Sequence, residues 1–202
     1  MIRNIHIWKK IRNRFLDILG AFDGAYAYKG PRCVQIDITD KCNNNCIGCW
    51  CNSPFLKDSL PPDGDHKPTL PTARVMTLLD ELAEMGTEEI YFAGGGEPFM
   101  HPDAMDIIRY AKHKGFIVSV NTNFTLITEE NARSLVDNGI DYLIVSIWAG
   151  TPAVYVKTHP NKPEKTFYAI QERLRMMNRY KMPKQKKPVI KIYNVIGTMN
   201  YM

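Results

Sequence analysis

The run Cys42-Asn-Asn-Asn-Cys46-Ile-Gly-Cys49 places three thiols in one short stretch, at spacings x3 and x2. Thiolates are the usual protein ligands of iron–sulfur clusters, and a cubic [4Fe–4S] cluster has four irons to hold. Three ligands leave one iron open, and an open metal position is a place for chemistry. A structural zinc site is the competing reading, with Cys33, Cys51 or His66 completing the ligands. A zinc ribbon normally carries two Cys-x2-Cys knuckles, however, and this chain has no second pair. Disulfides fit less well still, because the five cysteines are an odd number and four of them crowd together.

A second stretch, Gly94-Gly95-Gly96-Glu97-Pro98, could also meet a ligand. Adjacent glycines let backbone approach closely and can take positive φ. Taken alone, such a run could equally be a plain turn. Asn121 and Asn123 could cap a strand, since Asn favours turns. Their amides could also bind hydroxyls, having both donor and acceptor. Trp148 reads as an apolar wall or as a core aromatic. The histidines have bland readings: His101 in a loop at a helix start, His113 at a helix end where positive charge is favoured, and His159 in a loop.

The elements that must hold these residues follow from hydrophobic pattern. Strands are expected at 33–38, 89–92, 116–120, 142–147 and 189–196. Helices are expected at 71–85, at 102–114, from an N-cap at Thr128 to Gly139, and at 163–180. The strands are short and nearly continuous in hydrophobicity, as strands buried on both faces are. Alternating βα units predict a parallel sheet with right-handed crossovers. Every unusual stretch falls just after a strand: the cysteines, the glycine run, Asn121–Asn123, Ser146 with Trp148, and Asn200. In an α/β barrel the site is built from those loops, whereas an open doubly wound sheet binds only at its switch point. The pattern therefore favours a barrel. The segment from Thr39 to Pro71 is too rich in Pro and Gly for a long helix. A loop of that length is usually functional or disordered.

The cysteine run, with the glycine run placed after the second strand, resembles the signature of radical SAM enzymes over residues 33–200. The resemblance implies an α/β fold, a partial (βα)6-type TIM barrel, here with about five parallel strands. It implies a [4Fe–4S] cluster on Cys42, Cys46 and Cys49, and S-adenosyl-L-methionine as second cofactor. Gly94, Gly95, Gly96 and Glu97 would receive the amino group of its methionine part. Asn121, Asn123 and Ser146 would contact the nucleoside. Lys157 stands where many relatives carry an Arg that grips the carboxylate, and would act as a point charge without the bidentate fork. No catalytic side chain is expected beyond the cluster. Reductive cleavage would yield methionine and a 5′-deoxyadenosyl radical that abstracts hydrogen from a C–H bond. Two departures stand out. Relatives often have an aromatic residue before the third cysteine, where this chain has Gly48. Where some relatives have Ser-x-Asp-Gly, this chain has Ser146-Ile-Trp148-Ala-Gly150.

The run Cys49-Trp-Cys51-Asn-Ser-Pro54 resembles members that carry a C-terminal SPASM-type auxiliary-cluster domain. A peptide or carbohydrate substrate is the leading expectation, with flavodoxin or ferredoxin as electron donor and a reducing, cytoplasmic setting. Two other classes stay open: a metal- or iron–sulfur-binding module without catalysis, and a radical SAM enzyme acting on RNA. Composition is that of a globular protein, with 45% apolar and 23% charged residues. No apolar run approaches a membrane span. Net charge is +5, and eight Lys or Arg lie between Arg173 and Lys191. No aromatic residues interleave with those lysines as in a nucleic-acid groove, so a solvated face is expected. Residues 1–30 read as a basic amphipathic helix of about three turns and a lead-in. Its stripe of Trp8, Ile11, Phe15, Ile18 and Leu19 is expected to pack on the domain rather than on a membrane. Residues 31–202 would form the core. With five strands instead of about six, the last βα unit is expected to be missing, the chain truncated and the edge of the fifth strand unpaired.

Overall fold

The computed structural model describes residues 2–56, 68–181 and 187–201. His66 and most of the linker before the fifth strand lie outside the described residues. Helix α1 (Ile2–Asp23) precedes strand β1 (Cys33–Ile36). Helices and strands then alternate: α2 (Thr72–Glu84), β2 (Glu89–Phe92), α3 (Ala104–His113), β3 (Ile117–Thr122), α4 (Glu129–Asp137) and β4 (Tyr142–Ser146). Two helices, α5 (Pro152–Thr158) and α6 (Glu164–Lys181), lead to β5 (Val189–Tyr193). All neighbouring strands pair parallel, in the order β1-β2-β3-β4-β5. A doubly wound sheet reverses its order at a switch point, and this one does not. It is an open five-stranded arc of a (βα) barrel.

One core joins the convex face of the arc to the helices. Ile90, Phe92, Val118, Val120, Leu143 and Val145 are fully buried against Leu79 of α2, Ile107 of α3, Leu135 of α4 and Ile170 of α6. On α2 the buried positions Val75, Leu79 and Leu82 share one helical face. The alternate strand residues, Tyr91, Ser119, Asn121, Tyr142, Ile144 and Ser146, are only half-buried. The strands are thus not buried on both faces as expected. A closed barrel fills its interior with layers of side chains, and an open arc leaves that side accessible. Strand β5 is the extreme case, with Val189, Ile192 and Tyr193 exposed. Its outer edge has no partner strand among the described residues.

Helix α4 starts as expected, with the Thr128 hydroxyl accepting from the Asn131 amide at 3.1 Å. Helix α5 was not anticipated. Its signal is Thr151, whose hydroxyl accepts from the Val154 amide at 3.3 Å, followed by Pro152 in the first turn.

Helix α1 is longer than expected, at 22 residues, and it docks by the other face. Trp8 is 69% exposed and Phe22 87%, with Ile11, Phe15 and Ile18 also exposed. The buried residue is Asn13, whose amide donates to the Gly86 carbonyl and to Glu88, both at 3.2 Å. The surface beneath offers polar groups of the α2–β2 turn, so a polar side chain makes the contact. No described helix is long and apolar enough to cross a membrane.

Part of the basic stretch is paired with acids. Arg175 and Arg179 both pair with Glu172, and Lys187 joins Lys112 on the buried Asp141.

Candidate functional site

Strand β1 hands the chain to the cysteine loop, whose ends are tied together. Thr39 and Thr69 form an antiparallel bridge. The Asp40 amide donates to the Pro68 carbonyl and the Leu70 amide to the Ile38 carbonyl, each at 2.9 Å. Inside the loop, Cys49 N–H donates to the Cys46 carbonyl at 3.0 Å. Backbone amides point at the sulfurs: Asn44 at Cys42 Sγ (3.5 Å), and Asn52 (3.2 Å) and Cys51 (3.4 Å) at Cys49 Sγ. Such donors favour thiolates. Burial, and after it the neighbouring Cys42 and Cys49, push the Cys46 thiol up to about 12. A buried thiol held in its protonated form beside two more sulfurs calls for a bound cationic group, which releases the proton. Among the described residues no three His, Cys, Asp or Glu side chains gather around a point suited to one metal ion. A cube does not need such a point, because each thiolate holds a different iron. The donor set fits a cluster.

The glycine run nests directly on this loop. Gly94 has φ +147°, and a Cβ there would lie 2.0 Å from the Asp37 carboxylate. A Cβ on Gly96 would lie 2.2 Å from the Thr39 carbonyl and 2.4 Å from that of Lys41. Only glycine permits that approach. Gly95 N–H donates to Asp37 at 2.5 Å, Asn52 Nδ2 to the Gly95 carbonyl at 2.7 Å, and Glu97 N–H to the Lys41 carbonyl at 2.8 Å. Burial pushes the Asp37 carboxyl up, while the Gly95 amide pulls it back.

Glu97 is 2% exposed and faces protein, not an open pocket. Its carboxylate accepts from the Thr122 hydroxyl and the Asn123 amide, both at 2.6 Å, and from the Phe99 amide at 3.4 Å. Burial nonetheless raises it to about 7. Asn123 is likewise engaged. Its Nδ2 donates to Asn43 Oδ1 at 2.8 Å, and its Oδ1 accepts from the Thr125 amide at 2.9 Å. Glu97 and Asn123 thus brace the end of β3 to the two loops.

Asn121 lies on the concave face, and its amide oxygen is buried without a partner among the described residues. Ser146 ends β4, half-buried and opposite Tyr193 in the register. Lys157 is exposed on α5, outside the network that these bonds build. Cys33 is exposed at the start of β1, away from the cysteine loop, as expected. Cys51 sits at the junction: its sulfur is 3.3 Å from where a Gly95 Cβ would be. Trp148 has φ +55°, uncommon for a non-glycine residue. Its ring lies 3.2 Å from where a Gly48 Cβ would be, and its indole N–H is buried without a partner among the described residues. The small residue at 48 leaves room for an aromatic that arrives from β4.

Sequence reading missed Asp37, Asn43, Asn52, Thr122 and Asn161, which tie the two loops and α5 together. Asp37 and Thr122 lie at strand ends, where site residues were expected. Nothing in the sequence singles out Asn161, which reaches the loop across a long chain separation. Its amide accepts from the Asn45 backbone at 3.2 Å, and its Nδ2 donates to the Asn43 carbonyl at 3.0 Å. The histidines are structural. His101 is buried between the Leu70 carbonyl (2.9 Å) and the Asp103 amide (3.0 Å). His159 is a buried cap residue stacked on Tyr155, and burial lowers it to about 4.

The Radical SAM superfamily model matches residues 36–200. The chain belongs to the radical SAM superfamily. Members of this enzyme family use a [4Fe–4S] cluster and S-adenosylmethionine. The Fe-coproporphyrin III synthase of Methanosarcina barkeri is 33% identical over 114 residues, 56% of this chain and 26% of that protein. The PqqA peptide cyclase of Bradyrhizobium diazoefficiens is 28% identical over 116 residues, 57% of this chain and 28% of that one. Among solved structures, Streptococcus suis SuiB bound to S-adenosylmethionine superposes with a TM-score of 0.66 at 13% identity, covering 86% of this chain and 36% of that chain. SuiB has also been solved bound to its precursor peptide SuiA. These matches span roughly a quarter to a third of the relatives' own length. As a radical SAM protein, the chain shares with SuiB the fold alone.

Proposed function

We propose that Cys42, Cys46 and Cys49 would hold a [4Fe–4S] cluster, and that the Gly94–Glu97 turn would help to hold S-adenosylmethionine beside it. The observation that carries this reading is the nesting of the glycine turn on the cysteine loop, closer than any side chain would permit. Bound together, cluster and cofactor supply a 5′-deoxyadenosyl radical that takes hydrogen from a C–H bond. The protein's part is placement and exclusion of water. The Asn44, Cys51 and Asn52 amides steady the thiolates, and Asp37, Asn52 and Glu97 fix the turn. Asn121, with an unmet acceptor, is suited to a cofactor or substrate hydroxyl, and Ser146 stands beyond it on the same concave face. Trp148 walls the cysteine loop and offers one indole donor. Lys157 supplies at most a diffuse positive charge. Residues 31–202 make up the core of the enzyme, with residues 1–30 as lead-in.

We take a peptide as the substrate class, in line with the PqqA peptide cyclase and the peptide-bound SuiB, although the Fe-coproporphyrin III synthase is named for a different product. The reduced cluster needs an electron donor of the flavodoxin or ferredoxin kind and a reducing compartment. Anaerobic reconstitution with iron and sulfide tests the reading. A brown protein that releases 5′-deoxyadenosine after reduction supports it. A colourless protein carrying one zinc ion overturns it.

A further inference from the structure

A concave pocket of about 430 Å³ opens beside the cysteine loop, lined by Asn43, Thr125, Lys162, Lys165 and Arg173 among others. It contains three cations and no carboxylate. Elsewhere on α6, Arg175 and Arg179 are matched by Glu172, whereas no ion pair involves Lys162, Lys165 or Arg173 among the described residues. The pocket is also bound to the cysteine loop. Asn43 follows Cys42 directly. Asn161, next to Lys162, donates its backbone N–H to Asn45 Oδ1 at 3.0 Å and its side-chain amide to the Asn43 carbonyl at 3.0 Å. The positive surface is therefore clasped to the residues between the first two cysteines.

We propose that this pocket is the docking site of an acidic one-electron carrier protein. The proposal rests on the cluster reading above. One electron leaves the carrier's reduced centre and enters the cluster. The carrier is oxidised by one electron, and no bond is made or broken. Transfer rates fall steeply with distance, so the carrier must settle on surface close to the cysteines. Unmatched cations at that place raise the encounter rate of an acidic partner and fix its orientation. A single-stranded nucleic acid is the weaker occupant, because the pocket has no aromatic side chain on which bases could stack.

The test compares the reconstituted chain with a Lys162→Glu/Lys165→Glu variant and with an Arg12→Glu/Arg14→Glu control of equal charge change on α1. Bleaching of the cluster's visible absorbance is followed after mixing with reduced acidic ferredoxin or with dithionite. At low salt the pocket variant should be reduced by ferredoxin about tenfold more slowly or worse. Its dithionite rate should match wild type, and the control should keep the ferredoxin rate. The difference should vanish near ~0.5 M salt, where screening shortens to a few ångströms. Unchanged ferredoxin rates, or an equal loss in the control, overturn the docking site. So does an oligonucleotide that binds only with the pocket intact while ferredoxin reduction is untouched. A wild-type chain that bleaches with neither reductant means that the cluster reading itself fails, and the docking site with it.

Discussion

Replacing Glu97 with Gln keeps the shape of the brace but removes its titration. The carboxyl is raised from 4.5 to about 7 because burial disfavours its charge more than Thr122, Asn123 and Phe99 favour it. A folded pKa above the unfolded one gives a contribution that is complete below about pH 4.5 and is lost as pH rises through 7. At 1.36 kcal/mol per unit, the loss comes to about 3 kcal/mol. Gln can keep both close bonds, accepting from the Asn123 amide through its oxygen and donating to Thr122 through its nitrogen. Urea unfolding of wild type and Glu97→Gln, from about pH 4 to pH 8, measures the difference directly. Wild type should lose about 3 kcal/mol relative to the variant across that range, while other groups cancel in the comparison. Parallel profiles would refute the reasoning: Glu97 would then stay ionised throughout, with its three donors outweighing burial.

Cys42→Ala, Cys46→Ala and Cys49→Ala should each abolish the cluster's visible absorbance and 5′-deoxyadenosine release, whereas Cys33→Ala should leave both intact. Gly96→Ala forces the Thr39 and Lys41 carbonyls apart, at a cost of about 2 kcal/mol, and should lower both the melting temperature and the iron retained after reconstitution. Asp141→Ala leaves the Val118 amide without its carboxylate acceptor and the Lys112 ammonium with the Phe116 carbonyl but no counter-charge, a loss of about 2–4 kcal/mol by chemical unfolding. Burial pushes the Asp141 carboxyl up, but Lys112, Lys187 and the Val118 amide together hold it below the usual range. Its contribution is therefore present above the ordinary carboxylate pKa and disappears as pH falls, and wild type and Asp141→Ala should converge in acid.

The arc was legible because its pattern is local. Each helix shows an apolar face or a cap, and each strand is a short β-branched run, so strands at 89–92 and near 117–122 follow from the sequence alone. The two loops were legible because thiol spacing and glycine runs are rare by chance. The dress of the site was not. Asn161 meets Asn45 across 116 positions, and no periodicity reports that pairing. Glycine at 94–96 reads as room for a ligand, but the structure shows room already taken by Asp37, Thr39 and Lys41. Gly95→Val would press on Asp40 and Cys51. Helix α1 misled for another reason: an apolar stripe tells that a partner is wanted, not that the nearest surface supplies it.

The bridge between Thr39 and Thr69 separates two jobs that share one excursion of the chain. Between Ile38 and Leu70 the backbone leaves the sheet and comes back to nearly the same place, held there by two backbone bonds and a hydroxyl pair at 2.8 Å. Whatever length lies beyond the cysteines, the exit and return points stay the same. Closing a longer loop costs little, about 0.6 kcal/mol for each doubling. The tie thus fixes Asp37 and the start of α2 relative to one another through described backbone alone. The tie works as a clasp: it closes the base of the cysteine-bearing excursion on the sheet, so the loop and the first helix of the next unit share one anchor.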